Sequence, residues 1–283
     1  QFGSQTSAFF QDSVETPWFE YWLKDKGKLD LPEALTFRPG ANAWQRHSAW
    51  PPKAGVLQRR LYLSAGGKLS WTKPTGTGVD SYVSDPARPV PYRARPIVPL
   101  FGEAVPSTWS IWQVDDQRHS HLRPDVLTYE TETLTEDVTI SGKVLANLFA
   151  STTGTDADWV VKLIDVYPDD HPDDPKMGGY QLMVVGDVFR GRFLKSFERP
   201  APLVANQVNR FPIGLHSIDY TFKQGHRIMV QVQSTWFPLI DRNPQTFVPN
   251  IFEAKDGDYR AATHRIYRSA TYPSHLEVTV ATR

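Results

Sequence analysis

The sequence contains no cysteine in its 283 residues. Disulfide staples, thiolate catalysis and cysteine-ligated zinc or iron–sulfur sites are therefore excluded, while reducing and oxidising compartments both stay open. Neither charge is in excess: 31 Lys and Arg stand against 31 Asp and Glu. No nucleic-acid partner is expected, because neutralising phosphates takes a clustered surplus of basic side chains. No apolar run approaches the roughly 20 residues that cross a bilayer as a helix, so no membrane span is expected. Gln1-Phe2-Gly3-Ser4 has no basic segment followed by an apolar one, so no signal peptide is expected; an opening without Met reads as a piece of something longer.

Catalytic signatures are missing as well. A serine nucleophile on a strand-to-helix elbow needs glycines two residues to either side, since only their missing side chains let the turn close. The glycines here are never four residues apart, so Gly-x-Ser-x-Gly is absent. There is no His-Glu-x-x-His, no Gly-rich phosphate loop and no dinucleotide fingerprint, and neither a cofactor nor a metal is expected.

What the chain does have is aromatic side chains (9 Trp, 11 Tyr and 15 Phe), 23 prolines, and enough length for one large or two ordinary domains. Residues 1–33 read as helical. Phe10, Val14, Trp18 and Trp22 recur every four residues with Phe19 and Leu23 beside them, which paints an aromatic stripe along one face. Pro17 requires a kink, or a fresh start with Thr16 as cap, and Lys24, Lys26 and Gly27 supply a C-terminal end. So aromatic a face needs another surface to cover it.

After residue 56 the period becomes two. Leu57, Leu61 and Leu63 alternate with Gln58, Arg60 and Tyr62; Ile228, Val230 and Val232 with Arg227, Met229, Gln231 and Gln233; Leu276, Val278 and Val280 with His275, Glu277 and Thr279. Similar runs lie near 137–150, 158–167, 180–194 and 214–223. Strands with one face in a core and one face wet have this pattern. Seven or more of them, punctuated by Gly and Pro, predict a mainly β fold, an antiparallel sandwich of the jelly-roll kind. Residues 64–128 lack periodicity and are rich in Pro, Trp and Arg, so they are expected to wrap the sandwich or cover a neighbour.

Four constellations could carry chemistry. Asp115-Asp116-Gln117-Arg118-His119-Ser120-His121, with Asp125 nearby, could hold a metal if both histidines shared a strand face, but ion pairs and hydrogen bonds in a loop are the simpler reading. The acidic turn from Asp165 to Pro175 has carboxylates suited to Ca²⁺ but no loop glycine, so a solvated turn is expected. Trp44, Trp50, Trp71, Trp109, Trp112, Trp159 and Trp236 could form a sugar platform or an apolar pocket; core packing should take most of them. Trp109 and Trp112 are the candidate substrate-pocket residues, because they lie in an irregular stretch with no alternation to bury them. Asp156 and Asp158 precede Trp159 to Pro168 and read as caps or pairs at a strand entrance, with the run itself in the core.

The stretch from Leu122-Arg123-Pro124-Asp125-Val126-Leu127 to Thr131, then Leu134 to Gly142, then Thr155-Asp156-Ala157-Asp158-Trp159 through Asp165-Val166-Tyr167-Pro168, resembles the C-terminal region of the family that contains cocaine esterase and the X-Pro dipeptidyl peptidases. Within that family, Phe2-Gly3-Ser4, Phe9-Phe10, Pro249-Asn250-Ile251-Phe252 and Ala262-Thr263-His264-Arg265-Ile266-Tyr267 are most similar to the α-amino-acid ester hydrolases, or β-lactam antibiotic acylases. The resemblance covers nearly the whole chain. It implies that residues 1–55 are the C-terminal end of an α/β-hydrolase domain, with its last helix in 1–33 and its final strand and exit in Ala34 to Trp50. Residues 56–283 would form a jelly-roll, galactose-binding-like domain.

The resemblance further implies that the nucleophilic Ser, its Asp and its His lie upstream of position 1, so no catalytic residue is assigned here. This part would supply scaffold and part of the acyl-pocket wall, through Trp109 and Trp112. The implied partners are the upstream α/β-hydrolase and cap domains and a small α-amino acyl ester or β-lactam substrate; a homo-oligomer in the bacterial periplasm or outside the cell is also implied. A non-catalytic carbohydrate-binding or oligomerisation sandwich is the alternative.

Overall fold

The structure is a computed structural model that describes residues 4–97 and 111–282. The N-terminal helix runs without a break from Thr6 to Lys24: α1 (Thr6–Phe10), a π-helical turn over Gln11–Glu15, and α2 (Thr16–Lys24). In a regular α-helix Pro17 would remove one hydrogen bond and press its ring on the carbonyl four residues back; the widened turn sits where that conflict would fall. Thr16 and Glu15 both keep right-handed helical angles, so the helix neither restarts nor uses a Thr16 cap. It ends at Asp25, whose φ of 51° is left-handed, two residues before Gly27.

No residue of this helix is buried. Trp22 is 59% exposed and Leu23 72%, with Phe9, Phe10, Trp18 and Phe19 also open to solvent. Where one terminal strand is implied between Ala34 and Trp50, the chain makes a hairpin, β1 (Ala34–Arg38) with β2 (Ala43–His47). The hairpin sits on the sandwich through Asp219. That carboxylate accepts hydrogen bonds from Thr36 Oγ1 (2.5 Å) and Arg38 Nε (2.7 Å), with His47 Nε2 at 3.4 Å. Gly40, at φ +83°, lets the turn approach so closely that a Cβ there would meet the Thr221 carbonyl oxygen at 1.9 Å.

The rest is a β-sandwich. One ladder is formed by β3 (Val56–Ser64), β4 (Lys68–Ser70), β5 (Val79–Ser84), β7 (Val138–Thr152), β12 (Ala262–Tyr267) and β13 (His275–Ala281), in the order β5-β12-β7-β13-β3-β4. The other has the order β6-β11-β8-β9 and comprises β6 (Leu127–Glu130), β8 (Asp158–Val166), β9 (Gln181–Arg190) and β11 (Arg227–Gln233). The long strand β10 (Asn209–Phe222) pairs with β7, and a single parallel contact, Lys68 to Glu130, links the ladders. Between the layers lie Leu61, Leu63, Ile140, Ala146, Leu148, Trp159, Val161, Leu163, Phe211, Ile213, Ile228, Val230, Val232, Leu276 and Val278. Those on β3, β11 and β13 are the positions the period-two pattern selects. Leu57, of the same parity, lies beyond the layer edge and is 58% exposed.

Every residue of β8 is buried, as expected of a core run. The second face of β11 departs from the expectation: it is dry, with Met229, Gln231 and Gln233 fully buried. Segments 86–97, 111–121 and 236–245 lie over it and build a second cluster from Tyr92, Trp236 and Val160, with Ile97, Trp112, Met183, Val188 and Ile240 against it. The irregular stretch thus does wrap the sandwich. It also contains regular elements the pattern missed, β4, β5 and a short helix over Arg118–His121, α3.

Candidate functional site

Trp112 opens a single 3-10 turn, Trp112–Val114. Its ring is half-buried, edge-on to Tyr92 at 5.9 Å between centroids, and its neighbours Ile111 and Val114 are exposed. The residue is thus seated on the second face of the sandwich while its turn reaches solvent. Trp109 lies outside the described residues. The other tryptophans are accounted for mostly by packing. Trp159 is in the main core against Phe211 and His264, Trp236 is in the second cluster, and Trp71 lies beneath the Arg59 guanidinium. Trp44 stacks on Phe9 at 4.7 Å, and Trp50 meets His47.

The Asp115–His121 constellation is a hydrogen-bonded seat. Asp115 pairs with Arg93, and Asp116 accepts from the backbone N–H and side chain of Arg118 (3.0 and 2.6 Å). Residues 118–121 are helical rather than extended, so the two histidines diverge. His119 Nδ1 lies 2.9 Å from the Asp116 carbonyl, whereas His121 Nδ1 lies 3.0 Å from Gln181 Nε2. Burial lowers the His119 pKa. Asp125 is held by a two-pronged bond from Arg123, both at 2.8 Å. Among the described residues no group of His, Asp and Glu could hold a metal ion.

In the acidic turn, Asp174 accepts from the Lys176 backbone and Asp170 and Asp173 face water. Asp165 belongs elsewhere. It is buried in β8, 2.8 Å from His226 Nδ1 and accepting from Tyr220 (2.7 Å). Asp156 and Asp158 pair at the entrance to β8 as read, with Arg192 and Arg190, each at 2.7–3.2 Å. Among the described residues no serine hydroxyl is hydrogen-bonded to a histidine; Thr36 Oγ1 does lie 3.0 Å from His47 Nε2, but it donates its proton to Asp219, so the imidazole is not placed as its base.

Sequence reasoning missed a layer of buried polar groups under the covering segment: Lys162 on β8, Gln231 and Gln233 on β11, Gln117 and Ser120 above them. Lys162 Nζ donates to Gln117 Oε1 (3.0 Å), and Ser120 Oγ donates toward Gln231 Oε1 (3.0 Å). Burial lowers the Lys162 pKa to about 7. The available signal was the lysine interrupting an otherwise apolar Trp159-Val160-Val161-Lys162-Leu163-Ile164.

Residues 14–277 match the model of the X-Pro dipeptidyl-peptidase C-terminal non-catalytic domain. Among curated proteins the chain is similar to cocaine esterase of Rhodococcus sp. (strain MB1 Bresler), 32% identical over 262 residues, covering 89% of this chain and 42% of that protein. Among solved structures it is similar to an aminopeptidase from the marine sediment archaeon Thaumarchaeota archaeon, with TM-score 0.96, 49% identity, and 100% of this chain on 46% of that one. A selenomethionine-labelled α-amino acid ester hydrolase follows at TM-score 0.93 and 48% identity, with coverage of 99% and 46%. The chain spans less than half the length of each of these relatives.

Proposed function

This chain belongs to the family of X-Pro dipeptidyl-peptidase C-terminal non-catalytic domains, and from that premise we propose that it is the C-terminal part of a serine hydrolase acting on α-amino acyl esters and β-lactam amides. The bond-breaking Ser, with its His and acid, belongs to an upstream α/β-hydrolase domain; the sandwich supplies scaffold and, through the segment around Trp109 and Trp112, part of the acyl-pocket wall. In the complete protein the Ser attacks the carbonyl, a His moves the proton, and water or an amine receives the acyl group. The two solved relatives near half identity are named for an aminopeptidase and an α-amino acid ester hydrolase, and both names describe an acyl group with an α-amino substituent. An exported homo-oligomer is part of the same reading.

The observation that carries it is the N-terminal helix. Six large apolar side chains, Phe9, Phe10, Trp18, Phe19, Trp22 and Leu23, stand exposed along it. Leaving such a face wet costs about 25 cal/mol per Å² of apolar surface, which a covering domain would remove. The test compares two proteins on an α-amino ester. The 283-residue chain should show no turnover, and the full-length protein should show turnover that a serine-directed inhibitor abolishes. Trp112→Ala in the full-length protein should change the preference between small and aromatic acyl groups several-fold. Inhibitor-sensitive turnover by the chain alone would overturn the reading.

A further inference from the structure

A lysine in the middle of a fully buried strand calls for a physical reason. Lys162 has no exposed surface and lies on the face of β8 turned away from the main core. Across the sheet its neighbours are Gly186 on β9 and Gln231 on β11. A Cβ at Gly186 would meet the Lys162 Cγ at 3.3 Å and the Val161 carbonyl at 3.2 Å, so the glycine opens the groove along which the lysine stem lies. Above the groove, Nζ donates to Gln117 Oε1 at 3.0 Å and stands 5.2 Å from the centre of the Trp236 ring.

Gln117 is in turn the hub of the covering segment. Its Nε2 donates to the Asp115 carbonyl (2.7 Å), its backbone N–H to the Gln181 carbonyl of β9 (3.0 Å), and its own carbonyl accepts from the Ser120 backbone N–H (3.0 Å). The turn bearing Trp112 ends three residues earlier, at Val114. The amine therefore touches this segment at the residue that fixes it to the sheet.

We propose that Lys162 is a positioning residue: its uncharged amine latches the covering segment, and with it the seat of Trp112, onto the sandwich, and protonation of that amine loosens the latch. A neutral amine is served by the one acceptor, Gln117 Oε1; the Trp236 face attracts an ammonium, but one ring and one amide oxygen do not replace its hydration. An ammonium carries three donors and a charge that must be solvated, and burial without compensation disfavours it. The groups facing it offer no counter-charge. On the covering segment, Asp115 is taken by Arg93 and Asp116 by Arg118, and burial disfavours the charged form of His119. β11 presents Met229, Gln231 and Gln233; on β9, Asp187 is opposite Val161 of the main core and pairs with His216. Burial brings the change of charge near neutrality, since the Lys162 pKa falls to about 7. An opened segment would hydrate the amine and return it toward its ordinary value of about 10.4. Opening should then become rarer with rising pH above 7, by up to about tenfold per unit.

The role of the latch in substrate choice rests on the pocket-wall reading above, and the experiment separates the two. Hydrogen exchange of the peptide 111–121 in the full-length protein, corrected for intrinsic rates, gives the opening equilibrium between pH 6 and 9, with a β13 peptide as reference. The wild type should show opening nearly flat below pH 7 and falling up to about a hundredfold by pH 9. Lys162→Met should remove that slope. Gln117→Glu supplies a carboxylate that keeps the amine charged and paired through the window, so it should remove the slope even if the methionine variant fails to fold. A wild type without slope, or the same slope in every variant, overturns the latch. If the slope behaves as stated but the ratio of kcat/KM for a small and an aromatic α-amino acyl ester is unchanged by Lys162→Met, the latch stands and the pocket-wall reading falls.

Discussion

One carboxylate gathers the side-chain bonds that dock the hairpin β1-β2, beside a single backbone bond from Thr221 to Pro39, so Asp219→Ala should loosen the hairpin without unfolding the sandwich. The side chain of Asp219 is 2% exposed, that of Arg38 18% and that of His47 11%. Deleting the carboxylate removes the bonds from Thr36 and Arg38 and leaves a guanidinium in a mostly dry place with no counter-charge. Breaking a buried pair in this way costs about 3–5 kcal/mol, and partial water access at Arg38 points to the low end, about 3 kcal/mol. At about 1.4 kcal/mol per tenfold, the opening constant of the hairpin should rise roughly a hundredfold. Hydrogen exchange of Ala34–His47 and of the Thr221 N–H, which bonds to the Pro39 carbonyl at 3.0 Å, reads this directly. Burial pushes the Asp219 pKa upward, but the bonds from Thr36 and Arg38 outweigh it and hold the value below the ordinary one. A carboxylate lowered on folding stabilises above its unfolded pKa of about 4 and loses that contribution as pH falls through the folded value. The difference between wild type and variant should therefore be full at pH 6 and shrink below about pH 4. Protection within threefold of wild type at pH 6, or a difference that grows on acidification, would refute the clamp.

Replacing Trp22 and Leu23 together by Ser should shift the stability of the 283-residue chain by less than about 0.5 kcal/mol, because exposed positions lose little; the full-length protein should be destabilised by about 2–4 kcal/mol where both side chains are covered, and equal effects in the two proteins would argue against an upstream docking domain. His264 is fully buried between Trp159 and Tyr82, with Nε2 2.6 Å from Gln245 Oε1, and burial pushes its pKa down to about 3. Its unfolded imidazole takes a proton near pH 6.5, so stability is intact above that pH and drains as pH falls toward 3, by at most about 5 kcal/mol. His264→Leu should cost about 1–3 kcal/mol at pH 7, because Gln245 is left unpaired, and should flatten the acid limb of a urea midpoint titration; an unchanged acid limb would show that His264 does not carry it.

Much of the sandwich was legible because its inner face obeys a period of two. Leu61, Leu63, Ile228, Val230, Val232, Leu276 and Val278 are selected by alternation alone and all lie in the core. The helix was legible for a similar reason, its aromatic stripe being a one-dimensional signal. Its passage through Pro17 was not, because a π-helical turn leaves no mark on side-chain spacing. Asp156 and Asp158 could be read as paired because acids at the entrance to an apolar run have few other ways to be satisfied. Their partners, Arg190 and Arg192, lie across a strand and depend on register.

The rest was hidden where two faces of one sheet are both buried. Alternation separates a strand's two sides but does not say that both are covered, and on β11 the polar residues of the second side looked like a wetted face. Gln231 and Gln233 are dry because an irregular segment folds over them, and a segment without period announces no partner. Lys162 shows how this matters for function. Exposed, it would be one of many solvated lysines; buried beside Gly186 and Gln231 and bonded to Gln117, it has a pKa of about 7 and sits under the residue that ties down the Trp112 turn. A purely apolar face would bind the covering segment with the same strength at every pH in this range. One amine in that face makes the binding depend on a proton, and it does so on a strand that is buried along its whole length.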